Sequence, residues 1–272
     1  SLMATPSYDI RVDAGSLDVA ALAGRDSFSA QIGTLRWSLD GRGTSLPHLN
    51  ATTEFSAKQV QVDRVQARAM TVRGRLQEGH LVIDSLRAAS NVLAAQGSGT
   101  LALTNAAPRS TLSLRATVTD VRPLRQLVGA EALQLGDGSL SAKVHGDAGD
   151  QRLDATAELR GLAYNDLRLS GAKLTVSGTR GSEQLLRDLE IEGTLERPSL
   201  PALSAEQARL QATYDGTRVD LSTRLRIDQT HTAALQGAIV PSAEQTEVTV
   251  SRLDLRLGPD QWSLAQAATL VT

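Results

Sequence analysis

The chain has 272 residues, of which 41% are hydrophobic and 21% charged, with a formal net charge of −2. That balance excludes a disordered polyelectrolyte, and no apolar run reaches the roughly 18 residues of a membrane-spanning helix. The basic residues are scattered, so nucleic acid is not an expected partner, and the absence of cysteine removes disulfide and thiolate chemistry.

Rings are scarce. Tyr8, Phe28, Trp37, Phe55, Tyr164, Tyr214 and Trp262 are the full set, so apolar surface must come from Leu, Val, Ile and Ala. A compact core of this size ordinarily draws on large rings for buried area. The opening Ser1-Leu2-Met3 reads as a cloning remnant. Residues 1–272 are therefore expected to be one elongated segment of a longer protein, with any export signal or membrane anchor outside it.

In chain order, Asp18–Leu22 has the spacing of a short helical turn, and Asp40-Gly41 that of a hairpin turn. His80–Ala88 and Leu93–Leu103 read as strands, and Asn105–Arg109 interrupts the pattern after them. Leu112, Leu114, Ala116 and Val118 then alternate with polar residues. A short helical turn is expected at Pro123–Val128 and turns at Asp137-Gly138 and Gly149-Asp150, on either side of an alternating Leu140, Ala142 and Val144. The pattern continues through Leu153, Leu167, Leu169, Leu174, Val176, Leu189 and Ile191. Pro198–Pro201 interrupts it, Ser204–Ala208 has helical spacing, and Asp215-Gly216 marks another hairpin. Val219, Leu221, Leu225, Ile227, Val248, Val250, Leu253, Leu255 and Leu257 complete the apolar series.

Alternate side chains of a strand fall on opposite faces, so each run carries one apolar and one polar face. The predicted fold is all-β: a long antiparallel curled sheet with one aliphatic concave face, a few short helical connectors, and on the order of 16 to 20 strands. Periodicity leaves two arrangements open. The apolar faces can meet and dry out as a sandwich, or line a groove open to a ligand. The uneven spacing of the runs argues against a regular solenoid.

Catalytic signatures are missing. His48, His80, His145 and His231 are too far apart in sequence for a clustered metal site, and there is no Gly-x-Ser-x-Gly elbow or phosphate-binding Gly-rich loop. Asp137, Asp147 and Asp150 read as turn residues and not as a calcium loop. Trp37 and Trp262 read either as core residues or as the rim of a groove. No enzyme, cofactor or metal is expected.

The stretch from His80 to Ala88, leading into Leu93–Leu103, resembles the strand–turn–strand units of AsmA-like periplasmic proteins. Val250–Leu257, followed by Gln261-Trp262-Ser263-Leu264-Ala265-Gln266-Ala267-Ala268, is similar to the tryptophan–x–leucine segments of the TamB family, with Trp37-Ser38-Leu39 as a degenerate earlier copy. Ala267 departs from the proline expected there. The resemblance implies a Gram-negative periplasmic protein anchored in the inner membrane. It further implies a U-shaped β-taco groove that carries phospholipid acyl chains toward the outer membrane. The alternative it implies is a scaffold for assembly of outer-membrane proteins with a TamA-like barrel. On this reading the groove is lined by Leu112, Leu114, Val118, Leu140, Val144, Leu153, Leu167, Leu169, Leu174, Val176, Leu189, Ile191, Val219, Leu221, Leu225, Ile227, Val248, Val250, Leu253, Leu255 and Leu257.

Overall fold

The computed structural model describes residues 6–18, 30–62, 65–105, 107, 109–120, 122, 133–180, 187–201, 203–241 and 246–271. Nearly all of them are extended. The strands are β1 (Ser7–Asp18), β2 (Ala30–Arg42), β3 (Asn50–Val62), β4 (Val65–Gln77), β5 (His80–Ser90), β6 (Leu93–Ala102) and β7 (Ser110–Val118). They continue as β8 (Leu133–Leu135), β9 (Gly138–Asp147), β10 (Asp150–Tyr164), β11 (Leu167–Arg180), β12 (Arg187–Glu196), β13 (Ser199–Leu200) and β14 (Leu203–Ser204). The last six are β15 (Gln207–Tyr214), β16 (Val219–Arg226), β17 (His231–Pro241), β18 (Thr246–Leu257), β19 (Asp260–Ser263) and β20 (Ala268–Val271). They form one long antiparallel sheet that is not closed. The predicted all-β class holds.

The chain divides into two compact units. Unit 1 comprises Ser1–Glu131 and Ser139–Arg152, and unit 2 comprises Ala132–Gly138 and Leu153–Thr272. In unit 1, β1 to β7 form a meander in which each strand pairs with the next. Its register aligns Val12, Trp37, Phe55, Val72, Leu86, Gly97 and Leu114 across seven strands. In unit 2, β11, β12, β15, β16, β17 and β18 are successive neighbours. The hairpin of β13 and β14 loops out between β12 and β15 and docks on β11 through Arg168↔Ser199. Strand β18 pairs with β19 along its second half and with β20 along its first.

Two bulges keep the apolar series on one face where the sequence alternation slips. Gln236 pairs with Arg252 but Gly237 pairs with Val250, so Ser251 is the extra residue. The bulge lets Val248 and Val250 share a face with Leu253 and Leu255 although their sequence parity differs. A Cβ on Gly237 would lie 2.5 Å from the Thr249 carbonyl oxygen, so the backbone comes too close here for a side chain. Asp84 is the corresponding extra residue on β5, opposite Gly74 of β4.

Turn chemistry is partly as expected. Gly149 lies in the β9–β10 turn, Asp137-Gly138 follows β8, and Asp215-Gly216 opens the β15–β16 loop. Asp40-Gly41 does not turn; it lies inside β2, opposite Thr52 and Ala51. Its glycine is a close-approach position, because a Cβ there would meet the Ala51 Cβ at 2.7 Å and the Tyr8 ring at 2.8 Å. Ser204–Ala208 is not helical: Ser204 ends β14, which pairs with β13, Gln207 and Ala208 begin β15, which pairs with β12, and Ala205 and Glu206 join the two strands. The described 3-10 turn is elsewhere, at Leu46–His48, started by Pro47. Pro123–Val128, Ser1–Met3 and most of Asp18–Leu22 lie outside the described residues.

The buried side chains are small. Of the described hydrophobic residues that are fully buried, all but Val92 and Leu169 are alanines. Unit 1 contains one buried polar node. The Gln151 amide donates to the Ala102 carbonyl at 2.8 Å and to Ser110 Oγ at 3.0 Å, and Ser110 Oγ accepts the Ala102 N–H at 3.0 Å. Ser110 and Gln151 are 1% and 4% exposed, so the node ties β6, β7 and β10 together where the ladder would otherwise leave backbone groups unpaired.

Candidate ligand-binding face

Strand register assembles an aliphatic face in each unit. In unit 2 one row across the strands is Leu195, Ala208, Leu225, Ala233, Leu255 and Trp262. The next is Leu174, Gly193, Leu210, Thr223, Leu235 and Leu253. A third runs Val176, Ile191, Ala212, Leu221, Gly237 and Val250. Large and small residues alternate along and between the first two rows as far as β17; on β18 Leu253 and Leu255 end the alternation. Before that point each leucine has a small neighbour to lie over: a Cβ on Gly193 would meet Leu174 Cδ2 at 2.9 Å. Ala208, flanked by Leu195 and Leu225, is covered to 5% exposure. The checkerboard levels the face by filling the hollow over each Ala or Gly with its neighbour's branched end.

This face is not a dry core. Leu174, Val176, Leu189, Ile191, Val219, Leu221, Leu225, Ile227, Val248, Val250, Leu253 and Leu255 are all half-buried, and Leu257 is 44% exposed. A closed sandwich would bury most of these to the extent seen for Val92. In unit 1 Leu112, Leu114 and Val118 are likewise half-buried. Leu114 and Val118 lie opposite Gly97 and Leu93 of β6. On β9, Val144 is half-buried and Leu140 exposed; on β10, Leu153 is half-buried.

Three sequence-predicted residues fall elsewhere. Arg168↔Ser199 and Gly171↔Glu196 keep one register along β11, so strict alternation puts Leu167 and Leu169 with Gly171 and Lys173, across the strand from Leu174 and Val176. Leu169 is buried at 7% exposure. Ile227 lies just past β16, where its N–H donates to the His231 carbonyl at 2.9 Å. Leu195, Leu210 and Leu235 belong to the face and were missed. Their strands alternate Leu with Ala, as in Ala208-Arg209-Leu210-Gln211-Ala212, a pattern visible once alanine counts as apolar. Neither tryptophan is a core residue: Trp37 is 37% exposed, its indole N–H donating to Thr53 Oγ1 at 3.0 Å, and Trp262 is 64% exposed.

A cleft of about 1290 Å³ in unit 2 is lined mainly by residues of the polar side of the sheet, with Leu210, Leu225, Leu235, Leu255 and Trp262 of the aliphatic rows also contributing to its wall. Its polar lining runs from Lys173 and Thr194 through Arg209 and Arg224 to Arg252 and Arg256, residues that register places on one side of the sheet. The lining carries six cationic side chains, Lys173, Arg209, Arg224, Arg226, Arg252 and Arg256, against two anionic ones, Glu192 and Asp254.

Titratable groups elsewhere hold turns together. Asp228 accepts the Thr230 and His231 backbone N–H groups at 2.7 and 2.8 Å and contacts His231 Nδ1 at 2.7 Å. The Thr230 N–H and then the His231 ring hold its carboxyl well below the usual carboxylate range. Asp215 is lowered in the same way by the backbone N–H groups of Thr217 and Arg218. His80 Nδ1 and Thr104 Oγ1 are buried without a hydrogen-bond partner. Among the described residues no group of three His, Asp or Glu side chains is placed to hold a metal ion.

No protein-family model matches this chain, and neither a curated protein nor a solved structure matches it.

Proposed function

We propose that this chain is a non-enzymatic, periplasmic segment of a bridge-like lipid-transfer protein whose aliphatic face carries phospholipid acyl chains between the two membranes of a Gram-negative envelope. The observation that carries the reading is the half-exposed aliphatic face, continuous across β11 to β18 in unit 2 and across β1 to β7 in unit 1. An acyl chain laid along such a face loses water on one side, and each buried methylene contributes about 0.8 kcal/mol. Apart from the Thr223 hydroxyl, the checkerboard has little to hold one lipid in one pose, which suits sliding better than capture. The TamB-like and AsmA-like segments at His80–Leu103 and Val250–Ala268 support the same reading.

The test is photo-crosslinking in a Gram-negative host, with a photoreactive residue at Leu235 on the aliphatic face or at Gln236 on the polar one. Mass spectrometry of the adducts should find phospholipid at position 235 and none at 236. Equal capture at both positions, or none at 235, would sink the proposal. Adducts with outer-membrane proteins, in place of lipid, would favour the assembly-scaffold alternative with a TamA-like partner.

A further inference from the structure

The polar face of unit 2 carries an arrangement that an isolated sheet would avoid. Arg209 of β15 and Arg224 of β16 sit directly opposite each other. Directly opposed residues have their Cβ atoms about 5 Å apart, and like charges at that spacing repel. Both side chains are exposed. The carboxylates nearest in register are engaged or displaced: Asp254 bonds Arg252, and Glu206 bonds Arg226 at 3.0 Å. Glu192 pairs by register with Gln211, one row away. On the far side of Arg224 the register partner is Ala234, the one apolar residue of that face in the cleft, which leaves open space beside the guanidinium. Counting Glu158 and Glu206, which bond Lys173 and Arg226 from outside the lining, the cleft carries a formal +2 although the whole chain is −2.

We infer that the Arg209–Arg224 pair forms an oxyanion site for phosphate groups, on the face opposite the proposed acyl-chain surface. Two guanidiniums facing one space can each give a pair of parallel N–H donors to one phosphate, and the repulsion between them is relieved when it binds. Gln211 and Ser222, paired in the adjacent row, supply neutral hydrogen-bonding groups at the edge of the same space. This inference stands apart from the lipid-transfer reading, since register puts Arg209 and Arg224 on the side of their strands opposite Leu210 and Leu225.

The experiment is isothermal titration of the full chain with sodium tripolyphosphate at low ionic strength. Parallel arms use vesicles of phosphatidylglycerol and of phosphatidylcholine. The double variant Arg209→Gln with Arg224→Gln is compared with Arg73→Gln, which removes a paired arginine from unit 1. Thermal melts establish that each variant is folded. Affinity for tripolyphosphate should fall about tenfold or more in the double variant, stay unchanged in R73Q, and weaken with added salt in the parent chain. Binding of phosphatidylglycerol vesicles alone, lost in the double variant, would also support the site and identify a lipid headgroup as the phosphate source. Unchanged affinity in a folded double variant, or no binding by the parent to either anionic probe, overturns the inference. Neither result bears on acyl-chain capture at Leu235.

Discussion

The polar faces of the two units solve the same problem differently. In unit 1 opposite charges meet across strands: Arg36 bonds Asp13 at 3.2 Å, Arg73 bonds Glu54 at 2.8 Å and Arg75 bonds Asp84 at 3.0 Å. In unit 2 pairs of the same kind join Lys173 to Glu158 and Arg226 to Glu206, each at 3.0 Å, but register also sets Arg209 against Arg224. Unit 1 also opposes two carboxylates, Asp9 and Asp40, and there Arg11 bonds Asp9 at 3.1 Å. The apolar faces differ as well. Unit 1 places Trp37, Phe55 and Met70 among its aliphatics, whereas the leucine–alanine checkerboard of unit 2 is free of rings until Tyr214 and Trp262 at its margins.

The largest expected effect tests whether unit 1 owes its definition to its buried polar node. Gln151→Ala leaves the Ser110 hydroxyl short of a partner and the Ala102 carbonyl without its amide donor, in a site closed to water. Leaving such groups unsatisfied costs about 1–3 kcal/mol. Urea denaturation of the full chain should show that loss, and hydrogen exchange should localise it to β6 and β7. A change below about 0.5 kcal/mol would mean that water replaces the amide.

The next comparison sets a small buried residue against a larger half-exposed one. Val92 in unit 1 is fully buried, and Leu235 in unit 2 is half-buried. Val92→Ala removes two methyl groups from a closed site and should cost about 2 kcal/mol once the cavity is included. Leu235→Ala removes more atoms, yet should cost only about 1 kcal/mol because water already reaches them. If Leu235→Ala reaches the 2–5 kcal/mol typical of buried leucines, its face is a core and not a ligand surface.

Much of the fold is readable from the chain, for a physical reason: period-two alternation is a local property, and it identifies the strands and most of the aliphatic face. Register is not local. Asp215-Gly216, read as a two-residue hairpin, would pair Tyr214 with Thr217 and set Arg209 opposite Ser222. The loop actually takes four residues, Asp215 to Arg218, because the Asp215 carboxylate accepts the backbone N–H groups of Thr217 and Arg218. That two-residue change brings Arg209 and Arg224 together, so the cationic pair could not be seen without the turn. The bulges were nearer to legible. Gly74 and Gly237 stand alone within otherwise regular strands, which is where bulges are expected. The displacement of Leu167 and Leu169 had no such marker, since the apolar series changes parity at Gly171-Ala172 without any extra residue.

The smallest effect carries the sharpest contrast, because its sign differs between the units. Arg73→Gln removes the partner of Glu54 in unit 1, an exposed pair of the kind that contributes about 0.2–1 kcal/mol, so the chain should become slightly less stable. Arg209→Gln in unit 2 removes one member of an opposed like-charge pair, whose repulsion is of similar size, so the chain should become slightly more stable. Both differences should shrink as salt is raised from low to moderate ionic strength, since exposed charges are screened over about 10 Å at 0.1 M. The signs can be read from paired urea titrations at low salt. If Arg209→Gln instead destabilises the chain in the absence of phosphate, the guanidinium serves the fold, and the contrast between a paired and an opposed arginine collapses. If it stabilises the free chain while weakening phosphate binding, stability and binding are opposed at one residue, as expected where a side chain is placed for a ligand and not for its neighbours.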